Sequence, residues 1–379
     1  MLKLVRYFRN SMRFAGLPRD QKRLTFYSEG KNYWPHLGGL IHHILDNSEI
    51  LVNFITSDAN DPVFEIEHAR LNVFLIDQGA VRNWLFENIE TDLFVMTMPD
   101  IDQYQVKRSK HDVHYLYVQH SLMSKHMVYR KGAFDHYDTI FCGGSHHIRE
   151  MRAIETAHKL RPKTLVEHGY AWLDSIVAEA SFRPSKTRAE GDPKHVLIAP
   201  SWGPDGVIET GVGKKLADKL LSDGYRVTLR PHPETIKHAK PAVDVIVKAH
   251  STNPLFTYEA NVAGQESLHD SDVMITAWSG AALDYAFGLG KPVVFIDVPK
   301  KLNNPDYKDI PMEPVEIYIR EELGQIINPD NLDALDIEGL SPPSQDSIDA
   351  HVFNLGRSDV VGGGWIIDWV KTHAMKANS

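Results

Sequence analysis

Arg230-Pro231-His232-Pro233-Glu234 follows the apolar run Tyr225-Arg226-Val227-Thr228-Leu229, and Thr276-Ala277-Trp278-Ser279-Gly280-Ala281-Ala282-Leu283-Asp284-Tyr285 follows Asp272-Val273-Met274-Ile275. In each case a short buried strand ends and polar groups begin, which is where open α/β sheets bind ligands. The first segment supplies a fixed positive charge and an imidazole. The second supplies a hydroxyl and the free amides of a helix start. Together they read as a clamp for a phosphorylated, nucleotide-linked donor.

Strand and helix patterns alternate on both sides of these segments, which predicts α/β layers with largely parallel sheets. Apolar runs at 196–199 and 292–297 add strands to the second half, and a helix is expected over 211–221. In the first half strands are expected at 24–27, 73–76, 93–98, 115–120, 139–142 and 164–168. A helix is expected over 38–54, where Leu40, Ile41, Ile44, Leu45 and Leu51 form a helical stripe. Another is expected over 145–160, with Ser145 as its N-cap. The polar stretch 181–194, with two prolines and a glycine, separates two apolar regimes and reads as a linker. The expected organisation is a basic segment (1–22), a first α/β domain (23–180), the linker, a second α/β domain (195–358) and a C-terminal helix (359–379), with a ligand cleft between the domains. Gly362-Gly363-Gly364 follows no strand and reads as a turn before the helical stretch 364–375.

The 379 residues are 42% hydrophobic and 24% charged, ordinary values for a globular protein large enough for two cores. A net charge of −9 argues against nucleic acid as the partner. The single cysteine, Cys142, excludes an intrachain disulfide framework and a cysteine-rich zinc site, and fits a reducing cytoplasm. No apolar stretch approaches the roughly 18 residues of a membrane span, and no signal-peptide core is present. Residues 1–19 hold no acidic residue but carry Lys3, Arg6, Arg9, Arg13 and Arg19, with Leu2, Val5, Phe8 and Met12 at helical spacing. Such a helix either lies on anionic lipid headgroups or packs on its own domain with its charges exposed.

Ser279-Gly280-Ala281 opens a helix over 281–287, and its small residues let an oxyanion approach the unpaired amides. The same pattern also serves a capped helix that merely packs on its strand. Asp284, one turn on, is placed for ribose hydroxyls or for the helix dipole. Arg230 offers a fork for phosphate oxygens, and His232 either donates to phosphate, moves a proton or caps its loop. His120 closes the strand Tyr117-Val118-Gln119-His120-Ser121 and is the candidate base for an acceptor hydroxyl. His168-Gly169-Tyr170 ends another strand. Among 20 histidines, the pairs His42-His43 and His146-His147 fall on helices and are expected to face solvent. No histidine spacing fits a zinc site, so no metal is expected.

Val196-Leu197-Ile198-Ala199-Pro200-Ser201-Trp202, then Arg230-Pro231-His232-Pro233, then Ser279 through Asp284-Tyr285-Ala286 with Gly290-Lys291-Pro292, occur in that order. The series resembles the CDP-glycerol glycerophosphotransferase family, the teichoic-acid-type polymerases and primases, over residues 116–296. His168-Gly169-Tyr170-Ala171-Trp172-Leu173-Asp174 looks like the family's Gly-Tyr-Pro-x-x-Asp segment. The resemblance implies two Rossmann-like α/β domains in a GT-B arrangement, the first on the acceptor side and the second binding the nucleotide donor. It places His120 and His232 on catalytic motifs, and Arg230, Ser279, Gly280, Ala281, Asp284, Ser201 and Trp202 on donor-binding ones. Ser121, His168, Gly169 and Tyr170 would line the cleft. Where the family shows His-Gly-Thr, this chain has His120-Ser121-Leu122, so the donor half is the better matched.

The implied chemistry is attack by an acceptor hydroxyl on the β-phosphorus of a CDP-linked alditol phosphate, with release of CMP and no cofactor beyond that donor. The implied partners are the CDP-alditol, a polymer or lipid-linked acceptor and, through residues 1–19, an anionic membrane surface; no nucleic acid is expected. The implied location is the cytoplasm, at the inner face of the cell membrane. A GT-B glycosyltransferase, a UDP-sugar 2-epimerase and a non-catalytic scaffold of polysaccharide assembly are the competing readings.

Overall fold

The computed structural model of the protein describes residues 2–183, 191–261 and 265–377. The chain divides into two units: Met1–Ser175 with Asn303–Met312 and Ala350–Ser379, and Ile176–Leu302 with Glu313–Asp349. The elements begin with α1 (Leu2–Ala15), β1 (Leu24–Ser28), α2 (Trp34–Asn47), β2 (Val52–Thr56), β3 (Leu71–Leu75), α3 (Ala80–Asn88) and β4 (Leu93–Met96). They continue as β5 (His114–Val118), β6 (Thr139–Cys142), α4 (Ser145–His158), β7 (Thr164–Glu167), α5 (Ala171–Phe182), β8 (His195–Ile198), α6 (Val212–Ser222) and β9 (Arg226–Leu229). Next come α7 (Pro233–His238), α8 (Lys240–His250), β10 (Phe256–Tyr258), α9 (Glu266–Asp270), β11 (Val273–Thr276), α10 (Gly280–Leu289) and β12 (Val293–Ile296). The chain closes with α11 (Val315–Tyr318), α12 (Arg320–Leu323), β13 (Gly324–Ile327), α13 (Gln345–His351) and α14 (Ser358–Ala377).

In the first unit the strands order β3-β2-β1-β4-β5-β6-β7, and the pairings are parallel. Strands β1, β2, β4 and β6 are buried at every position, as a parallel sheet covered on both faces requires. One face packs Phe26, Phe54 and Val95 against Leu40, Ile41 and Ile44 of α2 and Ile366 of α14. The other packs Tyr27, Phe94, Tyr115 and Tyr117 with Phe86 of α3 and Phe14 of α1. The second unit holds a parallel sheet ordered β10-β9-β8-β11-β12-β13. Its core joins Val196, Ile198, Val227, Ile275 and Val294 to Leu216 and Leu220 of α6 and Val243 and Ile246 of α8. Both sheets belong to the mixed α/β class that the sequence predicts.

Four local expectations are corrected. The helix expected over 38–54 stops at Asn47: Ser48 is extended, and its Oγ donates to the Ile44 carbonyl at 2.7 Å. Val52-Asn53-Phe54-Ile55-Thr56 is instead a strand between β1 and β3, since a run rich in β-branched residues and apolar on both sides suits a doubly covered strand. Ser145 does not cap α4; Gly144 stands at that position, and Ser145 Oγ donates to the Ala350 carbonyl at 2.7 Å. The triglycine is not a turn. It lies inside α14, where a Cβ on Gly362 would meet His168 Cδ2 at 2.5 Å and one on Gly363 would meet His43 Cδ2 at 2.6 Å. The bare backbone is what lets α14 lie against α2. Of the expected linker, Ser181 and Phe182 close α5, and residues 184–190 lie outside the described residues. Among the described residues no helix is long and apolar enough to cross a membrane.

Candidate active site

In the second unit the chain runs from β8 outward through β9 to β10, then crosses to β11 and runs the other way. The switch point is therefore the gap between β8 and β11, and ligands of such sheets bind beyond the carboxyl ends of those strands. Ser201 and Trp202, both half-buried, follow β8, and Ser279 follows β11. Ser279 is the N-cap of α10: extended backbone, with Oγ accepting from the Ala281 amide at 3.3 Å. Gly280 and Ala281 add almost no bulk, so an anion can approach this helix start, where the Ala281 and Ala282 amides otherwise turn to the Ser279 Oγ and carbonyl. Asp284 is half-buried in the next turn.

Arg230 and His232, two residues apart after β9, turn to different partners. Arg230 Nη1 donates to Ser267 Oγ of α9 at 3.1 Å. His232 caps α7, its Nδ1 accepting from the Glu234 amide at 3.1 Å. A ring that accepts through Nδ1 carries its proton on Nε2 when neutral, so His232 offers a donor. Burial, with the Lys301 ammonium adding to it, holds His232 below the ordinary imidazole range. The Nε2–H so presented suits a hydrogen bond to a phosphate oxygen. The ring stacks with Trp202 at 6.2 Å, and Lys301 Nζ stands 4.4 Å over Trp202.

In the first unit the switch point lies between β1 and β4. Glu29 follows β1, and Tyr33 and His36 stand at the start of α2. His120, just beyond β5, reaches this group: its ring lies 5.8 Å from Tyr33 and 6.1 Å from His36. Its Nδ1 meets the Tyr117 hydroxyl at 2.9 Å and its Nε2 the Tyr129 hydroxyl at 3.3 Å. Burial, then the charge of Lys125, lowers the His120 pKa to about 4. The imidazole is thus neutral near pH 7, with one nitrogen accepting from and the other donating to a tyrosine hydroxyl, so it can take a proton once the longer Tyr129 contact gives way to an acceptor. Lys125 is itself buried, with its ammonium over the rings of Phe134 at 4.4 Å and Tyr117 at 5.2 Å, bonded to Gln119 Oε1 and lowered to about 8 by desolvation. The acid Glu29, raised by burial, and Tyr33, pushed up to about 12, are hydrogen-bonded to each other beside the ring.

The other expected residues take structural places. Ser121 is half-buried, its Oγ accepting from the Met123 amide at 3.1 Å. Tyr170 supports His120, its hydroxyl donating to the His120 carbonyl at 3.1 Å while its ring stacks on His36 at 5.6 Å. Gly169 has φ 107°, and a Cβ there would lie 2.5 Å from the Phe353 carbonyl oxygen. His168 lines no open surface. It is fully buried, stacked on Phe141 at 4.5 Å, because Gly362 of α14 packs directly over its ring. His146 and His147 do not face solvent either. Their Nε2 atoms bond the carbonyls of Leu122 at 2.8 Å and Met123 at 3.0 Å, pinning the loop after His120 from below.

Tyr117, Tyr129, Lys125, Glu29 and Tyr33 around His120, and Lys301 beside His232, were not singled out in the sequence. Tyr129 sits in a stretch without periodicity, so nothing local marks it. Lys301 does carry a signal, a basic pair just after a buried strand, like Arg230 after β9. Among the described residues no three His, Cys, Asp or Glu side chains gather as a metal site needs.

The family model of CDP-glycerol:poly(glycerophosphate) glycerophosphotransferases matches residues 82–301, more than half of the 379-residue chain. The chain belongs to this family. Its members are transferases, so the protein is an enzyme of the glycerophosphotransferase class. A histidine-to-asparagine variant of the wall teichoic acid polymerase TagF, soaked with CDPG, has a similar structure, with TM-score 0.60 and 17% identity over 98% of this chain and 95% of that one. A Listeria monocytogenes protein described as a UDP-N-acetylglucosamine 2-epimerase gives 0.57 and 14% over 94% and 97%. The UDP-GlcNAc 2-epimerase of Methanocaldococcus jannaschii gives 0.55 and 11% over 86% and 97%. At these identities the likeness speaks for the fold, that of GT-B enzymes. No match to the sequence was found among the curated proteins. The glycerophosphotransferase match takes in His120, Arg230, His232 and Ser279, and ends at Lys301.

Proposed function

We propose that this glycerophosphotransferase-family enzyme moves an alditol phosphate, of the glycerol phosphate kind, from a CDP-linked donor to a hydroxyl of a polymer acceptor. The acceptor oxygen attacks the β-phosphorus, the bond to the bridging oxygen breaks, CMP leaves with that oxygen, and the acceptor proton passes to His120. The second unit holds the donor, with the α10 amides and Ser279 on the diphosphate and His232 donating through Nε2. The observation that carries this reading is the neutral, tyrosine-bracketed His120 in a chain that matches the family over both half-sites. Charge on the transferring phosphoryl group is met by fixed dipoles and cations. No cofactor enters the reading. His120→Ala should lower kcat for CMP release about 100-fold or more with CDP-glycerol affinity retained. Full turnover in both His120→Ala and His232→Ala would contradict the site.

The same reading puts the enzyme on an anionic lipid surface. Helix α1 packs Phe14 and Ser11 inward, with Tyr7 and Asn10 half-buried. It turns Leu4, Val5, Phe8 and Met12 outward, 47–61% exposed, beside Trp84 of α3. Arg6 and Arg9 flank that apolar stripe, and no acidic residue occurs before Asp20 to oppose a negative surface. Flotation with phosphatidylglycerol vesicles should be lost in Val5→Asp/Phe8→Asp; flotation unchanged by that double substitution would remove the lipid role.

A further inference from the structure

Strand β11 lies between β8 and β12, so any contact between the segments after β8 and β12 crosses the carboxyl end of β11. Lys301, after β12, makes such a contact: its ammonium stands 4.4 Å over the ring of Trp202, after β8. The segment after β11, between them in the sheet order, opens α10 with Ser279 as its N-cap. Trp202 in turn stacks with His232, at 6.2 Å, on its β9 side. Three strand ends are thereby joined over the switch point by one aromatic ring and one ammonium.

Lys301 is half-buried, and burial lowers its pKa. A partly desolvated ammonium is normally offset by a carboxylate. None pairs with it among the described residues; Glu209, which acts on it at longer range, accepts instead from Thr235 Oγ1 at 2.7 Å. Arg230, the other cation of this sheet edge, is turned toward Ser267. Glu209 and Glu234 act on this edge only at longer range, so the Lys301 ammonium is left with an aromatic face and no direct carboxylate partner among the described residues. An ammonium without a direct ion-pair partner is one that an incoming phosphate can engage.

We propose that Lys301 is a diphosphate ligand of the donor site, exchanging its contact with the face of Trp202 for the nucleoside diphosphate that lies on the α10 amides. The role follows from geometry: Lys301 reaches from the segment after β12 to the ring after β8, the two strands that flank β11. It rests on the donor reading given above and adds a specific cation to it. A lysine suits the task because its flexible stem can move between ring and phosphate, whereas Arg230 is held by a hydrogen bond.

Calorimetric titration of the full chain with CDP, UDP and cytidine tests it, using wild type, Lys301→Met and Lys301→Arg, with thermal melts to confirm that each variant is folded. The expected result is roughly tenfold or greater weakening of CDP binding in Lys301→Met, partial recovery in Lys301→Arg, and no change for cytidine. CDP affinity within twofold of wild type in a folded Lys301→Met would overturn the proposal. A wild type that prefers UDP would contradict the cytidine donor alone, since the lysine's effect would still be read from the UDP titration. A wild type that binds neither diphosphate would overturn both.

Discussion

His120 is the residue on which the chemistry turns, and its surroundings give it an unusual titration. Burial and the Lys125 charge both oppose protonation, so the folded pKa of about 4 lies below the ordinary imidazole value of about 6.5. Above about pH 5 the ring is neutral and competent as a base; below that it is protonated and cannot accept. The rate constant kcat/KM should therefore stay level down to about pH 5 and fall as the pH drops through about 4. Lys125→Met removes one of the two causes and should shift that acid limb upward. An acid limb at about 6.5 in the wild type would mean that the ring titrates as an exposed histidine. His120 was visible in the sequence as a polar residue closing an apolar strand. Its tyrosine partners were not, because Tyr33 and Tyr129 come from segments that only the β1–β4 crossover brings to the same sheet edge.

Helix α14 shows how an element can hide from composition. Three consecutive glycines cost a helix about 1 kcal/mol each relative to alanine, so the pattern alone argues for a turn. The helix forms because Gly362 and Gly363 pack against His168, Leu40 and His43 at distances no Cβ allows. Gly364 meets nothing within 4 Å. Gly362→Ala should thus destabilise the fold by about 1–3 kcal/mol in urea unfolding, and Gly364→Ala should stabilise it by about 0.5–1 kcal/mol. Equal effects at the two positions would refute the close-approach explanation. Strand β2 was hidden for a related reason: its apolar residues continue the stripe of α2, and only the extended Ser48 breaks the helix before them. The helix start at Ser279, by contrast, was legible, because a serine just after a buried strand is a favoured N-cap.

For the whole molecule, the alternation of strands and helices announced two α/β sheets, and the order of strand-end motifs pointed to the family. Strand order was not legible, since a crossover of β1 to β4 or β8 to β11 leaves no mark on local periodicity. Nor was the return of residues 303–312 and 350–377 to the first unit, which depends on long-range packing such as the Asp174 carboxylate accepting from the Ser358 amide at 2.8 Å. The most direct measurement is identification of the nucleotide released when the enzyme is incubated with CDP-glycerol and a glycerophosphate-primed acceptor. Stoichiometric CMP with an acceptor lengthened by glycerol phosphate is the predicted result. Intact CDP-glycerol, alongside turnover of a UDP-sugar in the same preparation, would contradict it.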